Sequence, residues 1–332
     1  MWPHHRGPHG YGPPDMRALP LAPYPEGAYA YPSHSKMQEC DDECAEEECN
    51  RDICGDEHQP PREGEQFCGL DIRPLLPIAL SLSTVLGAAC MLGVQLLLLT
   101  LKIGLYAIIF YVIFGLIYLM TLVCMAYATW CDPGQLRRDQ HQAFADLEAS
   151  RTGQAPVGDA LPRRCQKTWL YKRPLRRYDH YCRWLCNCIA LMNHREFILM
   201  CMGLVISGFL SLIMDVVMFF LVLGQWWAMA LILLHFIYSG ILLWLVGPIA
   251  KVHIGLVARN ELAAEWKRND FYVVSKAGTI MSVTELADDE YNELFDQFMY
   301  DRKRNPFDRG FSQNCTSFWC TARWTSEQLG DF

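Results

Sequence analysis

Apolar and polar positions are sorted along this chain rather than mixed. Residues 1–72 hold almost no apolar run, 73–130 and 198–250 are nearly all apolar, and the remainder is mixed and polar. From Leu75 to Leu99 (LLPIALSLSTVLGAACMLGVQLLLL) no charge interrupts 25 residues, enough for a helix to cross a hydrocarbon core of about 30 Å. After a break at Lys102, residues 103–129 predict a second span, 197–222 a third and 227–250 a fourth. The pattern therefore predicts an all-α integral membrane protein with four transmembrane helices. A small cytosolic cysteine-containing domain (131–196) lies between helices 2 and 3, and cytosolic tails occupy 1–72 and 251–332.

Charge sets the orientation. Residues 135–196 carry twelve Lys and Arg, against Lys102 alone between spans 1 and 2 and none from Gly224 to Trp227. Basic loops stay cytoplasmic, so both termini and the middle loop are expected there, with Trp226 and Trp227 at the far interface. The start MWPHHRGPHG has no basic segment leading into an apolar one, so no cleaved signal peptide is expected. The formal net charge of -7 comes largely from an acidic stretch, Cys40 to His58. The basic middle loop fits either the topology rule or attraction to anionic headgroups and phosphorylated ligands. No nucleic-acid partner is expected.

Residues 1–35, rich in Pro, Gly, Tyr and His, read as disordered. Cys40, Cys44, Cys49 and Cys54 follow at spacings looser than a zinc-type CxxC pair. Helical spacing would gather several of these thiols on one face for metal or lipid, but an unstructured acidic tail is the preferred reading. After span 2, TWCDPGQLRR stops the helix at Pro133 and Gly134. After span 4, VARNELAAEWKRND predicts a helical continuation. Leu286, Leu294, Phe295 and Phe298 then predict one amphipathic helix.

The chemistry gathers in RYDHYCRWLCNCIALMNHREF, Arg177 to Phe197. Asp179, His180 and Cys182 are the parts of an acyl-transfer nucleophile: a thiol, an imidazole to take its proton and a carboxylate to orient the imidazole. Cys182 lies 15 residues before Phe197, where span 3 is expected to begin, which sets the thiol near the membrane surface. A metal reading competes, since Cys165, Cys182, Cys186, Cys188, His180 and His194 offer ligands for one zinc ion, although their spacing suits it poorly. Within the spans, Asp215 and His235 are ionisable and therefore costly. They sit at matching distances from the short 3/4 turn, at about the same depth, which predicts a pair across the two helices, either structural or closing the bottom of an acyl cavity.

In order along the chain, these motifs resemble those of the DHHC protein S-acyltransferases (palmitoyltransferases), integral membrane enzymes with four spans and a cytosolic cysteine-rich domain. Asp132, Pro133 and Gly134 resemble the family's DPG motif, and DHYC at 179–182 its Asp-His-His-Cys. Trp184, Asn187, Cys188 and the NHR.F stretch from Asn193 to Phe197 continue that pattern. ARNE at 258–261, with Glu261, resembles a worn TTxE motif. NPFDRGFSQN, including Asn305, Pro306 and Asn314, resembles the motif that packs under the active site. The resemblance covers roughly 73–320.

It implies an enzyme in which His180, oriented by Asp179, takes the proton of Cys182, and the thiolate accepts palmitate or a similar chain from acyl-CoA and passes it to substrate cysteines. The substrates implied are membrane-associated proteins with cytosolic cysteines, with an accessory subunit a further partner. The location implied is the Golgi, the ER or the plasma membrane. Lys172, Arg173, Arg176 and Arg177 are candidates for the CoA phosphates, with positive-inside residues as the equal alternative. Members usually bind two zinc ions, each through three cysteines and one histidine. Here only Cys165 and Cys188 match ligands, Thr168 and Tyr181 stand where ligands belong, and the block between is missing. Two intact zinc sites are therefore not expected, and at most one irregular site remains. Arg183, Ala190, Ala258 and Arg259 also depart from the family pattern. From these losses follows a competing reading, a catalytically weak relative serving as a membrane scaffold or binding partner.

Overall fold

A computed structural model describes residues 66–67, 70–71, 74–152, 161–276, 278–325, 328–330 and 332. The N-terminal stretch read as disordered, and Cys40, Cys44, Cys49 and Cys54, lie outside them. Among the described residues three helices are long and apolar enough to cross a membrane: Leu75–Trp130, His194–Leu221 and Trp226–Arg259. The first is not one rod. It comprises α1 (Leu75–Ala88), a π-helical segment (Ala89–Gln95), α2 (Leu96–Ile103), a 3-10 turn (Gly104–Tyr106) and α3 (Ala107–Trp130). The sequence reading puts the break at Lys102. The structure puts the reversal at Gly104, whose φ of 60° and ψ of −135° suit a residue without Cβ. Packing proves the fold-back: Ser81 Oγ lies 3.3 Å from Met125 Sδ, whereas a continuous helix would set them about 66 Å apart.

After α4 (Arg138–Thr152) come two further long helices, α5 (His194–Leu221) and α6 (Trp226–Arg259). α6 runs to Arg259 rather than ending at residue 250, and stops where Asn260 turns left-handed at φ 47°. The helical continuation expected there is a separate short helix, α7 (Ala263–Lys267). Strands amend the all-α expectation. β1 (Gln66–Phe67) pairs with β2 (Leu70–Asp71), β3 (His180–Cys182) with β4 (Asn187–Ile189), and β5 (Tyr272–Lys276) lies between β6 (Thr279–Ser282) and β7 (Met299–Tyr300), all antiparallel. The single amphipathic helix expected around Leu286–Phe298 is likewise corrected. Helix α8 covers only Asp288–Leu294, a 3-10 turn follows, and Leu286, Leu294 and Phe298 pack on the small sheet. Phe298 leaves the helix because the next two residues are taken by β5 as its partner strand. A last helix, α9 (Phe311–Cys320), packs on α6.

Two apolar clusters hold the bundle. One joins Met125 of α3, Phe197 and Leu204 of α5 and Val257 of α6 to Cys182 and Ile189 of the hairpin. The other joins Met91, Leu96, Phe114, Met218 and Ile232. Beside the second, three polar side chains meet. His235 Nδ1 lies 2.8 and 3.0 Å from the Asp215 carboxylate oxygens, and Gln95 Nε2 donates to Asp215 Oδ1 at 2.5 Å. All three are buried. Gln95 closes the π-helical segment, whose Leu96 N–H reaches Met91 O. The extra residue in that turn rotates the amide inward.

A buried polar pair stripped of one partner leaves the other unsatisfied and destabilises more than a pair replaced whole. His235→Leu should therefore cost about 3 kcal/mol in detergent unfolding, and the double variant Asp215→Leu/His235→Leu should recover most of it. Equal losses in the two would show that the pair contributes only packing.

Candidate active site

The site is assembled at the ends of helices, where backbone carbonyls lack intrahelical partners. The Asn187 amide donates to Ala128 O at 3.0 Å, Thr129 O at 3.2 Å and Cys131 O at 3.0 Å, closing the end of α3. Its own oxygen accepts from Tyr171 Oη at 2.6 Å. Asn187 is the register partner of Cys182, so the cap also fixes the hairpin that carries the thiol. Asn193 accepts from Ala190 N at 2.8 Å and donates to Cys188 O at 2.9 Å, turning the chain from β4 into α5. The Asp132 carboxylate accepts from Gly134 N at 2.8 Å and Gln135 N at 3.0 Å. Pro133 O accepts from Met192 N, and Gly134 O from Arg176 N, both at 3.0 Å. Gly134 has φ 111°, and a Cβ there would come 2.9 Å from Met192 Cγ.

The end of α6 is closed in the same way. Asn314 Nδ2 donates to Ala258 O at 2.9 Å and Asn305 Nδ2 to Arg259 O at 3.0 Å, with Pro306 in the turn after Asn305. Glu261 is buried and accepts from Arg259 Nε at 2.9 Å. Burial pushes its carboxyl up to about 7, against the pull of Arg259. Trp184 lies half-exposed with the Arg183 guanidinium 5.8 Å from its ring centroid.

Asp179, His180 and Cys182 come together. His180 Nδ1 lies 2.7 Å from Asp179 Oδ2, and the same imidazole hydrogen-bonds Cys182, which leaves Nε2 as the atom facing the thiol. Asp179 is fully buried. Its Oδ1 accepts from Ala263 N at 2.8 Å, with His194 Nε2 and His253 Nδ1 each 3.7 Å from its carboxylate. Burial alone would raise this carboxyl, but His194, the His180 hydrogen bond and His253 outweigh it and hold Asp179 well below the usual carboxylate range. Burial lowers the His180 pKa, yet the bonds to Asp179 and Cys182 prevail and lift it to about 9. At neutral pH the imidazole therefore carries a proton.

The four proposed phosphate-binding residues separate. Arg176 and Arg177 are buried. Arg176 donates to Gly134 O at 3.3 Å and Gln328 O at 2.9 Å, and Arg177 to Asn260 Oδ1 at 2.9 Å. Both are committed to the scaffold, which corrects the reading that offers them to a phosphate. Lys172 and Arg173 instead line a surface concavity with Gln135, Arg138, Leu170 and Tyr171.

A tetrahedral thiolate zinc site holds its ligand atoms about 4 Å apart. Among the described residues one group of three His, Cys, Asp or Glu ligand atoms lies within 4.8 Å, Asp179, His180 and His253, and it contains no cysteine. Cys188 is packed among Leu175, Tyr178, Ala190 and Ala264. The described residues do not fit a site of three cysteines and one histidine.

Sequence reasoning missed His253, Asn260, Ala263 and Glu265, and saw His194 only within a motif or as a metal ligand. His253 carried one usable signal, an ionisable residue near the end of an apolar helix. Ala263 contributes a backbone N–H, which no side-chain pattern reveals.

The family model described as DHHC palmitoyltransferase matches residues 160–270. Palmitoyltransferase ZDHHC12 of Homo sapiens is 27% identical over 222 residues, covering 62% of this chain and 73% of that protein. Protein S-acyltransferase 8 of Arabidopsis thaliana is 26% identical over 201 residues, 48% of each chain. Over these stretches the chain is similar to DHHC palmitoyltransferases, and the matched domain and these relatives support an acyltransferase enzyme.

Because the folded His180 pKa lies above its ordinary value near 6.5, the stability it contributes is complete below about pH 6.5 and lost as pH rises through about 9. The loss is on the order of 3 kcal/mol. Melting of the solubilised protein should fall between pH 6.5 and 9.5, and His180→Ala should flatten that slope. An identical slope in the variant would contradict the assignment.

Proposed function

We propose that this chain is a four-span protein-cysteine S-acyltransferase that moves a long-chain acyl group, palmitoyl, from acyl-CoA to cysteines of membrane-associated proteins through a Cys182 acyl-enzyme. The observation that carries this reading is the contact series Asp179–His180–Cys182, whose cysteine packs in a cluster with apolar residues of α3, α5 and α6. The reversal at Gly104 supports counting the first long helix as two crossings, and the basic middle loop supports cytoplasmic termini. The same resemblance supports the Golgi, the ER or the plasma membrane as its location.

The chemistry follows from protonation. With the proton already on His180, the Cys182 sulfur attacks the thioester carbonyl. A new S–C bond forms, the bond to the CoA sulfur breaks, and the departing CoA thiolate takes the Nε2 proton. In the second half His180 accepts the proton of the incoming cysteine, whose sulfur takes the acyl group and frees the Cys182 thiolate. Asp179 holds the imidazole throughout and stabilises its charged form. Lys172, Arg173 and Arg138 are the cations offered to CoA phosphates.

Cells given a clickable palmitate analogue should label the wild-type chain through a hydroxylamine-sensitive bond. Cys182→Ser should abolish the label at that position, and His180→Ala should slow transfer to substrate by roughly 10²–10⁴-fold. Undiminished transfer by Cys182→Ser would defeat the proposal.

A further inference from the structure

The loop that carries the nucleophile is cross-linked to two distant segments by guanidinium groups. Arg164 makes a two-pronged contact with Glu265, Nε to Oε1 at 2.7 Å and Nη2 to Oε2 at 2.9 Å. It also donates to Asn260 O at 2.6 Å and to Asn260 Oδ1 at 3.1 Å. Its guanidinium carbon stands 3.4 Å from the centroid of the Phe307 ring, and its side chain is 1% exposed. Arg177 reaches the same Asn260 Oδ1 at 2.9 Å and His194 Nδ1 at 3.2 Å. Asn260 Nδ2 in turn donates to Phe307 O at 2.9 Å. Residues nearly a hundred positions apart in the chain thus converge on one asparagine.

The backbone bears the same mark. Five non-glycine residues among those described have positive φ: Arg164, Arg177, Cys186, Asn260 and Asn269. Three of the five are the members of this cluster. Such conformations are unfavourable for residues with Cβ and persist where surrounding contacts over-determine them. A planar fork with five N–H donors can supply that determination, and an ammonium cannot.

From this cluster a short chain of bonds leads to the catalytic carboxylate. Glu265, held by Arg164, accepts from Leu262 N at 2.9 Å. Leu262 precedes Ala263, whose N–H donates to Asp179 Oδ1 at 2.8 Å. Rotation of the turn at Asn260 would swing that donor off Asp179.

We propose that Arg164, Arg177 and Asn260 form a guanidinium clamp that does the cross-linking work of a structural metal in this loop, and that Arg164 is a positioning residue which, through Glu265, aims the Ala263 N–H at Asp179. Among the described residues no cluster of three His, Cys, Asp or Glu ligand atoms includes Cys165 or Cys188. The clamp sits where loop, α6 and the turn at Phe307 would otherwise need one. Its role for Asp179 deepens the acyltransferase reading, but its tests do not require acyl transfer.

The experiment uses the full chain in lipid nanodiscs. Melting with and without a zinc chelator should coincide, since no metal holds the loop. A bound metal whose removal lowers the melting temperature would overturn the cross-linking claim. The second readout is the rate at which iodoacetamide alkylates Cys182, followed against pH and located by peptide mapping. Arg164→Lys keeps the charge and removes the fork. It should move the acid limb of the profile upward by about one pH unit, roughly a tenfold slower reaction on that limb, because Asp179, no longer fixed by the Ala263 N–H, turns from His180 Nδ1 and stabilises less the imidazolium that favours a thiolate. Glu265→Gln, a milder change that guards against loss of folding, should move it in the same direction by less. An acid limb unmoved in both variants would overturn the positioning role whether or not the chain transfers palmitate.

Discussion

The fully buried carboxylate of Asp179 constrains the rest of the structure. A charge removed from water must find donors or give up its charge. Asp179 finds His180 on one oxygen and the Ala263 N–H on the other, with His194 and His253 close by. These partners come from β3, the N-terminus of α7, the first turn of α5 and the last turns of α6. Satisfying one acid therefore requires the loop, two long helices and the segment after α6 to be in register. The same demand raises the affinity of His180 for its proton, and the thiol lies beside that imidazole.

The helices supply this register through their ends. Asn187 closes α3, while Asn305 and Asn314 close α6. A membrane helix cannot leave such carbonyls dry without cost, and amides from the loop and C-terminal segment meet them. At the other end of α9, Arg195 from the first turn of α5 donates to Phe318 O and Thr321 O. Side chains that look like scattered motif residues therefore act as caps, and each cap ties a polar segment to an apolar helix. Further along the bundle, Gln95, Asp215 and His235 join helix to helix in the same polar manner.

Much of this was legible in the sequence, for definite reasons. The long charge-free runs could become only apolar helices, and Asp179, His180 and Cys182 stood close enough that a single hairpin would bring them together. Asp215 and His235 could be matched by counting residues from a short turn. The reversal at Gly104 and the π-helical turn at Gln95 were not legible, since both depend on packing between helices rather than on local pattern. Arg176 and Arg177 looked like surface cations because sequence carries no burial. Asn260 and Glu265 were invisible as parts of the site, since their meaning lies in contacts made across about a hundred residues. The tail helix failed because a two-residue strand, β7, claimed its end.

The central claim is that Cys182 carries the acyl group as an intermediate. The most direct measurement is intact-protein and peptide mass spectrometry of the purified chain mixed with palmitoyl-CoA, then chased with a cysteine-containing acceptor peptide. The account predicts one acyl group on the peptide that contains Cys182, released CoA in equal amount, and quantitative passage of the group to the acceptor. An acyl group that never appears on that peptide, or one that stays there through the chase, would contradict it.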